Sequence, residues 1–200
     1  MRDALRQNES RHRPFRFLGD RDLKNEQLWA PWRLAYIQGE TAKTPAPAEP
    51  LDFLPGADPD CFLCRDVASG ADRENLLVYR GRETIVVLNR YPYNNGHLLV
   101  CPRRHKARLD ELSGEEQLES LEMIGRCTAH LEKLLRCEGF NIGLNVGRVA
   151  GAGVPGHLHW HIVPRWSGDT NFMPVLAGVA VISQSLDALW ELLASSLKTP

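Results

Sequence analysis

His157-Leu158-His159-Trp160-His161-Ile162-Val163-Pro164-Arg165 is the stretch from which the rest of the chain is best read. Side chains in an extended segment alternate between two faces, so the three histidines share one face and Leu158, Trp160 and Ile162 take the other. The apolar side can pack on a core. The opposite side then carries a row of imidazoles roughly 6 to 7 Å apart, at about 3.3 Å rise per residue, facing a cleft or solvent. A single histidine is commonly a core or surface residue with a hydrogen-bond partner. Three of the seven histidines of a 200-residue chain on one face of one strand point instead to chemistry, because imidazole can be base, nucleophile or ligand near neutral pH.

Outward from this stretch, Gly147 to Gly156 is a glycine-rich loop and Asn141 to Val146 a further strand. Gly147, Gly151, Gly153 and Gly156 leave backbone amides open, and such amides can hold phosphate oxygens or simply connect two strands. Neither a P-loop nor a dinucleotide fingerprint is present. Upstream, Ser113 and Glu116 form a capping box that opens a helix reaching about Arg136, with Gly139 as its stop. Its expected apolar face is Leu118, Leu121, Ile124, Cys127, Leu131 and Leu134 or Leu135. Leu76 to Tyr79, Thr84 to Asn89 and His97 to Cys101 read as short strands, turned by Gly81 and Asn94-Asn95-Gly96. Ser183 to Leu197, with Leu186, Leu189, Leu192, Leu193 and Leu197, reads as a last amphipathic helix. The expected fold class is α+β: an antiparallel sheet of about five strands covered by the long helix.

Composition sets the frame. A hydrophobic content of 43% with 24% charged residues fits a soluble globule, and a net charge of −1 gives no global pull towards nucleic acid or anionic membrane. Phosphate binding must therefore be local. No apolar run approaches the ~20 residues of a membrane span, and no signal peptide follows Met1, so a cytoplasmic location is expected. Five cysteines with one close pair do not form a disulfide framework. Cys101, Cys127 and Cys137 sit in apolar patterns that suit buried thiols.

Residues 1–24, rich in arginine, are expected to be a solvated tail, a nucleic-acid arm being the lesser alternative. Residues 25–59 hold Leu28-Trp29-Ala30-Pro31-Trp32-Arg33-Leu34-Ala35-Tyr36-Ile37, whose aromatics should dock on the domain or on a second subunit, followed by a proline-rich connection. The main domain spans residues 60–200. It opens with Cys61-Phe62-Leu63-Cys64, in which two thiolates in a tight turn can face one ion, making half of a tetrahedral zinc site. A redox pair is the rival, but no thioredoxin-like pattern surrounds it. By residue type, His105 and one member of the histidine row are the natural candidates for the remaining ligands.

These residues resemble the histidine triad superfamily over about residues 60–166, with Asn89, Gly96-His97, Asn145-Val146-Gly147 and Pro164-Arg165 where that family places its accompanying residues. Leu28-Trp29-Ala30-Pro31-Trp32 and Arg165-Trp166-Ser167-Gly168-Asp169-Thr170-Asn171-Phe172 are similar to the bacterial branch that includes diadenosine tetraphosphate phosphorylases and hydrolases. The resemblance implies that His159 is a nucleophile that attacks an α-phosphate and holds the nucleotidyl group until water, phosphate or another acceptor removes it. It implies His161 and His97 for positioning and phosphate contact, Asn89 for the ribose, and Asn145 with Gly147 and Gly153 for phosphate oxygens. Metal-bearing members imply one structural zinc on Cys61, Cys64, His105 and His157. A homodimer and a nucleotide substrate follow from the same likeness. One departure stands out: where many members carry a glutamine or serine donor before the triad, this chain has Gly153-Val154-Pro155-Gly156, leaving backbone amides. The alternatives to an enzyme acting through His159 are a non-catalytic nucleotide- or zinc-binding protein and a hydrolase whose histidines hold a catalytic metal.

Overall fold

The computed structural model describes residues 50–170 and 181–198. The arginine-rich residues 1–24, the tryptophan segment and Asn171-Phe172 lie outside the described residues. Among the described residues, eight α-helices and strands run in the order α1 (Phe62–Ala68), β1 (Leu77–Arg80), β2 (Thr84–Leu88), β3 (Leu98–Pro102), α2 (Gly114–Leu135), β4 (Gly139–Leu144), β5 (Trp160–Arg165) and α3 (Leu186–Leu197). The five strands form one antiparallel sheet in the order β1-β2-β3-β5-β4. The α+β class read from the sequence is the one observed.

Of the three inner strands, β2 and β3 are buried along their whole length because the sheet is covered on both faces. Val86, Leu88, Leu98, Val100, Leu158, Trp160 and Ile162 pack under α2 and α3, against Met123, Cys127, Leu131, Leu189, Leu193 and Leu197. The alternate residues Ile85, Val87, Leu99 and Cys101 pack under α1 with Cys61, Leu63, Cys64 and Val67. The histidine row therefore does not lie wholly on an open face: His157 is fully buried and His159 is 7% exposed. The row is also only partly strand. Its ladder with β3 starts at Val100↔Trp160, and continuing the register two residues on would set Leu158 opposite Pro102, which has no N–H to donate. Leu158 N–H bonds instead to the Lys106 carbonyl at 2.6 Å.

Helix α2 begins as expected, with Ser113 accepting from Glu116 N–H and Glu116 accepting from Ser113 N–H. Its buried stripe is Glu116, Ser120, Met123, Ile124, Cys127 and Leu131. Leu118 and Leu121, expected inside, are 59% and 63% exposed. At 100° per residue they fall off the stripe set by steps of three and four from Glu116, and Glu116 is itself drawn inward by Arg104, whose Nε donates to it at 2.6 Å. The helix stop differs too. Arg136, not Gly139, carries the left-handed reversal (φ 52°), while Gly139 opens β4, which pairs from Gly139↔Arg165 to Leu144↔Trp160. That register starts two residues before the expected strand. Cys101, Cys127 and Cys137 are buried free thiols.

Candidate active site and metal centre

Five histidines and two cysteines gather where the loop after β4 enters β5. The cysteines sit not in a simple turn but at the start of α1, Cys61 at its N-cap and Cys64 in its first turn. His105 comes from the chain beyond β3, and His157 from the segment before β5. Cys61 Sγ lies 3.4 Å from His157 Nδ1, while Cys64 Sγ lies 3.2 Å from His105 Nδ1 and 3.5 Å from His157 Nδ1. All four donor atoms fall within 4.8 Å of one another. For tetrahedral Zn²⁺ with bonds of about 2.3 Å to sulfur and 2.0–2.1 Å to nitrogen, sulfur and nitrogen ligands stand about 3.5 Å apart, so the cluster fits that ion. His157 Nε2–H donates to the Pro102 carbonyl at 2.8 Å, which turns the Nδ1 lone pair to the cysteines. Burial pushes the Cys61 thiol up to about 12 and the His157 imidazole down to about 4. A bound cation would supply the charge that favours thiolates over this packing of neutral donors.

The next two histidines serve differently. His159 Nδ1 is 2.8 Å from the carbonyl of His157. A carbonyl only accepts, so Nδ1 carries the proton and Nε2 keeps its lone pair. Burial lowers the His159 pKa from its ordinary value, which favours the neutral ring. His161 lies beside it, with ring centroids 5.0 Å apart at 72°.

A chain of donors sets the tautomer of His161. Tyr91 N–H donates to Asn89 Oδ1 at 3.0 Å, which orients Asn89 Nδ2 towards His97 Nδ1 at 3.2 Å. Tyr93 N–H also donates to His97 Nδ1, at 3.1 Å. His97 Nδ1 is therefore an acceptor, its proton sits on Nε2, and it donates to His161 Nδ1 at 3.0 Å. His161 in turn holds its own proton on Nε2. The result is a neutral imidazole with a bare nitrogen next to an imidazole N–H, a pairing suited to nucleophilic attack beside a donor for an oxyanion.

His97, His159 and His161 thus come together, as do the four metal candidates, and His157 joins the two groups. Asn89 is engaged with His97. Asn145 is half-buried just beyond β4, where continuing the register Gly143↔His161 and Leu144↔Trp160 brings it towards His159. Gly147 (φ 85°) opens a short 3₁₀ turn, Arg148–Ala150, and its carbonyl accepts from Ala150 and Ala152 N–H; Gly153 is exposed. Sequence reading missed Tyr93, whose ring lies 4.7 Å from that of His97 and stacks at 5.7 Å on His161. An aromatic four residues before a histidine in a turn has no periodicity to mark it.

The HIT domain family model matches residues 71–168. An AP-4-A phosphorylase of Mycobacterium tuberculosis is 37% identical over 90% of this chain and 88% of its own length. An adenosine 5′-monophosphoramidase of Schizosaccharomyces pombe is 29% identical over 69% of this chain and 98% of its own length. Among solved structures, a Zn-bound histidine triad family protein from Mycobacterium smegmatis shares the fold, with a TM-score of 0.57 at 24% identity over 70% of this chain and 94% of its own.

Proposed function

The chain belongs to the HIT domain family, and from its site we propose that it cleaves dinucleoside polyphosphates of the diadenosine tetraphosphate kind, or related nucleotidyl compounds, at the α-phosphate. The observation that carries the reading is the bare Nε2 of His159, fixed by the hydrogen bond from Nδ1 to the His157 carbonyl. In the first step His159 Nε2 bonds to the α-phosphorus while the bond to the leaving nucleotide's oxygen breaks. In the second, water or phosphate displaces the histidine and restores the neutral ring. His161 donates from Nε2 to a phosphate oxygen, and His97 holds it in that tautomer. Asn145 and the amides around Gly147 and Gly153 meet the remaining phosphate oxygens. Asn89 reaches the ribose only with the atoms not given to His97 and Tyr91. One structural zinc per chain, on Cys61, Cys64, His105 and His157, would tie α1 to the segment that presents His159; it supplies cross-linking rather than chemistry.

The reading includes a homodimer through the outer edge of the sheet, where β4 leaves Ile142 47% exposed and the loop beyond it leaves Val146 41% exposed. It also includes a cytoplasmic setting, which suits five free thiols; no described helix is long and apolar enough to cross a membrane. The test is incubation with diadenosine tetraphosphate and simple adenylyl compounds, with and without inorganic phosphate, reading products by mass. A nucleoside diphosphate formed only with phosphate marks a phosphorylase, and monophosphate marks a hydrolase. His159→Asn should abolish turnover and keep nucleotide binding. Full activity in that variant would remove His159 as the nucleophile, and activity lost within seconds of mild chelation with the fold intact would favour a catalytic metal.

A further inference from the structure

We propose that Arg80 is a positioning residue for the metal centre, holding α1 so that Cys61 and Cys64 face His105 and His157. The inference rests on reading the four-residue cluster as a zinc site. Helix α1 has only seven residues, and its N-cap, Cys61, makes no side-chain capping bond. A helix that short does not persist alone, yet it must present two sulfurs to two imidazoles that belong to other segments. The guanidinium of Arg80, the last residue of β1, closes its far end. Nη1 donates to the Val67 carbonyl at 2.9 Å, and Nη2 donates to the carbonyls of Asp66, at 2.8 Å, and Ser69. Asp72 holds the same guanidinium through Nε at 2.9 Å and Nη2 at 2.6 Å. These carbonyls belong to the end of a helix, which its own backbone leaves unpaired and which carries partial negative charge, so a forked cation matches them in both geometry and sign. The other ligands are tied down separately: Arg104, beside His105, is held by Glu116, and His157 by Pro102. Arg80 is thus a polar link from the sheet to the thiol-bearing helix.

The test uses full-length protein stripped of metal, titrated with Co²⁺ and then competed with Zn²⁺, for wild type, Arg80→Lys and Arg80→Met. Both variants should bind Zn²⁺ roughly 10- to 100-fold more weakly, the usual effect of removing a group that orients metal ligands. They should also show a weakened thiolate–Co²⁺ absorption. Lysine keeps the charge but not the fork, so retained affinity in Arg80→Lys overturns the proposal even if Arg80→Met does not fold. Gly96→Ala, which is expected to lower stability from the opposite face of the sheet, should keep wild-type affinity. An equal loss in Gly96→Ala would reduce the effect to general instability and overturn the positioning role. If wild type itself takes up no Zn²⁺, the zinc reading fails, a result distinct from wild-type binding that Arg80 does not influence.

Discussion

Two glycines, one buried against α2 and the other exposed within it, should respond to alanine with opposite sign. Gly96 is buried, has φ +75°, and a Cβ there would stand 2.6 Å from Leu135 Cδ1, 3.2 Å from Leu131 Cδ2 and 3.3 Å from Pro164 Cγ. The left-handed backbone costs a non-glycine residue about 1–2 kcal/mol. The overlap adds about 1–3 kcal/mol, towards the low end because Leu135 Cδ1 is the tip of a flexible side chain in the last turn of α2. Alanine's stiffer unfolded chain returns about 0.4–1 kcal/mol. The net loss is about 1–3.5 kcal/mol, and at about 2–4 °C per kcal/mol for a chain of this size Gly96→Ala should melt roughly 2–14 °C lower. Gly125 is exposed within α2, has open space around its Cβ position, and loses helix propensity as glycine. Gly125→Ala should gain about 0.5–1 kcal/mol and melt about 1–4 °C higher. Differential scanning calorimetry of the two variants beside wild type measures both. A melting point for Gly96→Ala within 2 °C of wild type would refute the reasoning from backbone and overlap.

At the proposed metal centre, Cys64→Ser should lose most bound zinc by elemental analysis, since its sulfur faces both imidazoles; undiminished zinc content would exclude Cys64 as a ligand. Gly156→Ala should bind zinc about tenfold more weakly in a chelator competition, because its Cβ would meet His105 Nε2 at 3.0 Å and rotate that ring; unchanged affinity would mean that the ring adjusts without cost. Asp169 accepts from Arg165, Asn94 and Trp166, and Arg165 beside it holds its carboxyl well below the usual carboxylate range. A depressed folded pKa contributes stability that is present above the unfolded value, near 3.9, and lost as pH falls below it. Asp169→Asn should therefore lower stability by about 1 kcal/mol at pH 7, less in high salt, and by progressively less as the pH falls below 4 in denaturant titrations. A difference independent of pH would assign the loss to packing.

Local chemistry is what made the sequence readable. Ser113 and Glu116 specify a helix start through two reciprocal bonds three residues apart, and the structure has both. The alternation of Leu158, Trp160 and Ile162 placed those three in the core under α2 and α3. Legibility failed where a distant partner decides. Leu118 and Leu121 match a helical repeat, but the stripe that packs on the sheet runs through Met123, Ile124, Cys127 and Leu131 and includes Glu116, which is paired with Arg104. Arg136 adopts a left-handed stop usually given to glycine, beside a last turn whose Leu135 carbonyl accepts from Trp166 Nε1 31 residues on. In the site, the histidine and cysteine residue types announced themselves. The tautomer of each depends on the partner its ring meets, a carbonyl for His157 and His159 and the His97 ring for His161, and no spacing encodes that.

The break in the sheet at Pro102 has a consequence for anyone transplanting this site. An uninterrupted ladder commits strand carbonyls to neighbouring backbone, but here the segment ahead of Trp160 leaves the ladder, and the carbonyls of Pro102 and His157 each take an imidazole proton instead. Copying the three histidines onto a regular strand would reproduce their spacing and lose control of which nitrogen is bare. A designer would have to graft the defect along with the residues, since the interrupted pairing is part of what leaves His159 Nε2 bare.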